Sequence, residues 1–165
     1  MKKESAEKIR EPIEIIALDT ISKNKQALIF FNSKPRTEKN AEEIANKIKV
    51  GEEKKFLLGE MKKEILRVLS TPTKQCIRLS NCVEKEIAFH HSGLAEKQKK
   101  LIEKWFREGK IRIICCTPTL AAGVDLPAFR SVIADSKRFS EMIGMSSISV
   151  LEYIIPKTKC FSYDS

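Results

Sequence analysis

Apolar and polar positions along the chain switch between two periods. Ile13, Ile16, Ala17 and Ile21 follow Pro12 at helical spacing, and Lys23-Asn24-Lys25 interrupts them before the run from Gln26 to Phe31. A 3.6-residue period followed by a short apolar run predicts helix, turn and buried strand. Asn32-Ser33-Lys34-Pro35 comes next. It predicts a capping hydroxyl and a first-turn proline for a helix whose stripe is Ala41, Ile44, Ala45 and Ile48. Between Val50 and Lys85 the pattern stays helical. Met61, Ile65, Val68 and Leu69 form one stripe, Thr71-Pro72 is expected to open another helix, and Cys76, Leu79 and Val83 form that helix's stripe.

The alternation then resumes. Ile87-Ala88-Phe89 reads as a strand, His90-His91-Ser92-Gly93 as a polar loop, and Leu101, Ile102, Trp105 and Phe106 as one side of a helix ended by Gly109. Trp105 and Phe106 share the spacing of Leu101 and Ile102, so core packing accounts for them better than base stacking does. Ile111 to Cys116 is the next strand, Thr117 to Gly123 turns into a helix, and Ser131 to Ala134 is the last strand. Short apolar strands separated by amphipathic helices predict an α/β domain, a parallel sheet with helices on both faces. Ligands of such sheets bind outside the carboxyl ends of the strands. Three polar loops fall there, at 32–36, 90–93 and 117–127.

Composition narrows the classes. With 165 residues, 42% of them hydrophobic and 32% charged, the chain supports one domain with a real core and a charged exterior. No apolar run approaches the roughly 20 residues of a membrane span. The start, Met1-Lys2-Lys3-Glu4-Ser5, leads into charge rather than a signal-peptide core. A soluble, cytoplasmic protein with no membrane partner is therefore expected. Lys and Arg number 31 against 22 Asp and Glu, a formal +9 that favours polyanions such as nucleic acid. The excess is spread through the chain, with 18 basic and 12 acidic side chains in residues 1–82 and 13 and 10 in residues 83–165. The five cysteines (Cys76, Cys82, Cys115, Cys116, Cys160) contain no C-x-x-C pair. Buried reduced thiols are expected and no metal site.

Candidate chemistry concentrates in Thr117-Pro118-Thr119-Leu120-Ala121-Ala122-Gly123-Val124-Asp125-Leu126-Pro127. Hydroxyls and exposed N–H groups at a helix start after a buried strand suit phosphate. An ordinary cap with a later glycine fits the same residues. His90 and His91 lack the i, i+4 spacing of a metalloprotease helix and have no acidic neighbour in sequence. Ser92 lacks a G-x-S-x-G elbow, so no catalytic residue is assigned.

The 117–127 segment resembles motif V of the second helicase superfamily. Phe89-His90-His91-Ser92-Gly93-Leu94 is similar to that family's F-H-H-A-G-L segment, and Ile29-Phe30-Phe31-Asn32-Ser33 with Arg36 is similar to its motif IV. Thr71 to Gln75, Gly144-Met145 and Ile148 to Tyr153 resemble it further. The likeness covers 12–153 and points to the second RecA-like domain of an archaeal fork-repair DNA helicase. It leaves a charged N-terminal segment over 1–11 and a divergent or truncated tail over 154–165.

The resemblance implies contacts residue by residue. Asn32, Ser33 and Arg36, with Thr117 and Thr119, would meet the phosphates of a single strand, DNA in preference to RNA. Ser92 and Gly93 would lie against the same strand, and His91 would either touch it or close its own loop by a structural hydrogen bond. Gly123 and Asp125 would face a nucleotide, Asp125 near the ribose. The partner would be a first RecA-like helicase domain holding most of the ATP and Mg. This chain alone would hold no cofactor, because it has neither G-x-x-x-x-G-K-[ST] nor an Asp-Glu dipeptide. The arginine-rich motif VI is also missing, since no Arg follows Arg138. The expected function is therefore the second motor domain of an ATP-dependent helicase, inactive as a hydrolase by itself. The alternative is a non-catalytic nucleic-acid-binding or protein-interaction module that keeps the fold.

Overall fold

The structure, a computed structural model, describes residues 13–120 and 125–134. A helix over 13–22 (α1) precedes β1 (Ala27–Phe30), α2 (Lys34–Ala45), α3 (Glu52–Arg67), α4 (Lys74–Val83), β2 (Ile87–His90), α5 (Glu96–Arg107), β3 (Ile113–Cys116) and β4 (Arg130–Ile133). The four strands form one parallel sheet in the order β2-β3-β1-β4. Apart from Arg130, every strand residue is buried. Because successive strand side chains point to opposite faces, such burial requires cover on both. The expected α/β architecture, a parallel sheet covered on both faces, is the one the chain adopts.

Local chemistry sets the boundaries. Asn24 takes the left-handed conformation (φ 56°) after α1, with Lys25 N–H donating to the Thr20 carbonyl and Asn24 N–H to that of Ile21. Gly109 (φ 73°) repeats the motif after α5, with Lys110 N–H on Trp105 and Gly109 N–H on Phe106. Both are Schellman ends, for which Gly and Asn are suited. Gln26 then stitches distant elements, its side-chain amide donating to the carbonyls of Phe106 (2.5 Å) and Ile111 (2.7 Å).

The two inserted helices are present, with two adjustments. Thr71-Pro72 does not open α4. Thr73 is its N-cap, with the hydroxyl accepting from Cys76 N–H at 3.2 Å. The stripe of α3 runs through Leu58, Met61 and Ile65, one turn earlier than the sequence reading, with Val68 at the helix end. Lys54 to Glu86 (2.8 Å) and Lys62 to Glu84 (2.8 Å) hold α3 against the far end of α4. The inserted pair packs onto the sheet through α4, which meets both β2 and α2.

Among the cysteines, Cys76, Cys82, Cys115 and Cys116 are buried free thiols. Burial raises the thiols of Cys115 and Cys116 far above their usual range and pushes that of Cys82 up to about 12. Cys160, the segment 1–11, the resembling stretch at 144–153 and the tail 154–165 lie outside the described residues.

Candidate nucleic-acid interface

Register brings the three polar loops together. Phe30 pairs with Cys116 and with Ile133, and Cys116 pairs with His90, so all four strands end in one row. The residues that follow leave from the same edge. Phe31 N–H donates to the Cys116 carbonyl at 2.9 Å and Thr117 N–H to the His90 carbonyl at 3.2 Å, which ties each loop root to its neighbour.

In the first loop, Ser33 is the N-cap of α2 in extended conformation, followed by Pro35 in the first turn. The cap differs from expectation, because the Ser33 hydroxyl makes no capping bond to the helix. Its carbonyl is used instead, accepting from Thr37 N–H (3.1 Å) and the Thr37 hydroxyl (2.7 Å). The first turn contains no acidic residue and carries Lys34 and Arg36. Cations at a helix N-terminus oppose the dipole and are unfavourable for the helix itself. With the positive end of the helix dipole they form a site suited to an anion. Asn32 and Arg36 are each half-buried.

The second loop turns on His91, which is 1% exposed. Its Nδ1 accepts from Gly93 N–H at 3.0 Å, so the proton sits on Nε2, 2.9 Å from Glu38 Oε1. Both ring nitrogens are thus engaged inside the chain. Of the two roles open to His91, the structure shows the hydrogen bond that closes its own loop. Ser92 and Gly93 are exposed. A Cβ at Gly93 would stand 3.0 Å from the His91 ring and 3.7 Å from Lys34 Cδ. The second loop therefore lies beside the first turn of α2, and a side chain at Gly93 would press on the imidazole.

Neither histidine lacks an acidic partner in space, although both lack one in sequence. His90 Nε2 meets Glu103 Oε1 of α5 at 2.8 Å, and His91 meets Glu38 of α2. Burial lowers both histidine pKa values more than these carboxylates raise them, so the rings are neutral near pH 7. Glu38 Oε1 also accepts from Gln75 at 2.7 Å, and Oε2 from Arg78, which pairs with Glu42 as well. Burial by itself would raise the Glu38 carboxyl, but the bonds from Gln75 and His91 and the charge of Arg78 hold it below the usual range. Sequence reasoning missed Glu38. Its signal was position, since it stands three residues before Ala41 and seven before Ala45 on the buried side of α2.

In the third loop the hydroxyls of Thr117 and Thr119 are 3.0 Å apart, Thr117 half-buried and Thr119 exposed, and residues 119 and 120 are helical. Gly123 lies outside the described residues. Asp125 is exposed on the segment that leads toward the amino end of β4. Among the described residues no group of His, Cys, Asp and Glu is arranged to hold a metal ion. None of the described helices is long and apolar enough to cross a membrane.

Residues 60–141 match the family described as the helicase conserved C-terminal domain. Three similar proteins are ATP-dependent DNA helicases Hel308. That of Methanocella arvoryzae is 37% identical over 145 residues, and that of Methanococcus vannielii 38% over 155, each match covering 87% of this chain and 19% of the relative. That of Pyrococcus horikoshii is 37% identical over 139 residues, covering 84% of this chain and 19% of the relative. The chain thus spans about a fifth of the length of the curated relatives it matches.

Proposed function

Because this chain carries the C-terminal RecA-like domain of a superfamily 2 helicase, we propose that it is the second motor lobe of an ATP-dependent DNA helicase. It holds one strand of DNA by its phosphates at the carboxyl edge of the sheet. The observation that carries this reading is the common row of strand ends, which sets Ser33, Ser92 and Thr117 along one edge. Lys34 and Arg36 add positive charge there, at a helix start with no acidic residue. A strand lying along that edge meets hydroxyls, backbone N–H groups and cations in succession, which bind phosphate without reading bases.

ATP, which supplies the driving force for translocation when bound, would be held mainly by a first RecA-like lobe. Asp125 and Gly123 would complete its site from this side. An exposed carboxylate such as Asp125 suits a ribose hydroxyl as acceptor. Magnesium would be held by the first lobe and the phosphates, since the described residues offer no acidic cluster for it.

The test is binding of a labelled single-stranded oligonucleotide at low salt. Arg36→Ala and Thr117→Ala are expected to weaken it by about tenfold each, the equivalent of about 1.4 kcal/mol and near the lower end for a charge-assisted contact. Lys49→Ala is the control, because it follows α2 at the amino edge, roughly 20 Å from that helix's first turn. It should change affinity less than twofold. Equal losses at all three positions would favour a generic basic module over a localised strand site.

A further inference from the structure

Glu38 is 8% exposed, one turn beyond the start of α2. If its role were stability alone, an apolar residue of similar volume would serve as well, because burying an ion pair costs about what the pairing returns. What an apolar residue cannot do is accept a proton donor. We propose that Glu38 is a positioning residue for the strand-binding edge. By accepting from His91 it keeps the imidazole in the Nε2–H form, which leaves Nδ1 as acceptor for the Gly93 amide.

One carboxylate thereby joins three elements. Its own helix carries Ser33 and Arg36, the loop it fixes carries Ser92, and Gln75 and Arg78 bring the first turns of α4 onto the same two oxygens. Gln98 braces that loop from its other end, accepting from Ala95 N–H at 3.2 Å and donating to Cys76 Sγ on α4 at 3.3 Å. Without Glu38 the Nε2–H of a nearly fully buried ring has no acceptor. The ring then turns or exchanges tautomer, and the Gly93 amide loses its partner. The loops after β1 and β2 are no longer held in fixed relation, and a phosphate spacing matched to both is lost.

The inference rests on the reading that this edge holds a strand, so its test uses one readout that involves the strand and one that does not. In the wild-type chain, nitrogen NMR of the imidazole should show the proton of His91 on Nε2. Hydrogen exchange at the Gly93 amide should be slow, and in Glu38→Ala it should quicken at least tenfold while amides of β1 and β3 keep their protection. Oligonucleotide affinity should fall about tenfold in Glu38→Ala and in His91→Ala, and no further in the double variant, because the two act through one contact.

Glu38→Gln keeps an acceptor oxygen for His91 but loses the charge facing Arg78. It should retain affinity within about threefold while melting at lower temperature, a split that a purely structural role would not produce. A proton on Nδ1 in the wild type, unchanged Gly93 exchange in Glu38→Ala, or affinity in Glu38→Gln falling as far as in Glu38→Ala would overturn the proposal. Failure of the wild-type chain to bind a strand would instead overturn the function read for the edge, and the Gly93 exchange would still decide the role of Glu38.

Discussion

At the scale of single residues, two buried histidines make the fold sensitive to mild acid. Burial lowers the pKa of His90 and His91 below the ordinary 6.5 of an unfolded chain. Below 6.5 the unfolded state takes up protons that the native rings resist, so stability falls as pH falls through that value. The Glu38 carboxyl, held below 4.5, adds a second loss beneath that pH, because its contribution is present only where the unfolded carboxyl is also ionised. Thermal melting followed from pH 7.5 to 5.0 should therefore show a declining midpoint, shallower in His91→Gln. A midpoint constant across that range would mean that the rings are not held neutral. The pairing behind this behaviour was hard to read from sequence. His91 and Glu38 lie 53 positions apart, and a glutamate in a charged helix reads as surface until the helix is docked.

At the scale of elements, the strands were legible because each is a short apolar run bounded by polar turns, and the left-handed ends at Asn24 and Gly109 stood where turn chemistry places them. Caps were less so. Ser33 has the sequence of a side-chain cap and the extended conformation of one, yet its hydroxyl is not used that way. In the inserted pair, Thr71-Pro72 and Thr73 compete as helix starts, and only Thr73 places its oxygen over the Cys76 amide. Thr73→Ala is expected to cost about 1 kcal/mol, the worth of an N-cap. Thr71→Ala, at an exposed position before the helix, should cost almost nothing. Urea denaturation of the two variants measures the difference, and equal midpoints would return the cap to Thr71. Because Gln75 and Arg78 stand on the helix that Thr73 caps, fraying there would also loosen the contacts to Glu38.

At the scale of the whole molecule, the order β2-β3-β1-β4 puts three loops widely separated in sequence on one edge. This assembly was visible in outline, because parallel sheets place their ligands at carboxyl ends. What the alternation of elements could not supply was strand order, and with it which loops become neighbours. The formal +9 adds a long-range attraction over the entire surface, so affinity alone does not locate a site. The direct measurement is an NMR map of backbone amides during titration with a short single-stranded oligonucleotide, repeated at raised salt. With a localised strand site, Ser33, Lys34, Ser92, Gly93 and Thr117 shift together and saturably, Lys49 and the turn at Asn24 do not, and added salt weakens the response. Shifts scattered over both edges of the sheet, or centred on the inserted helices, would contradict it.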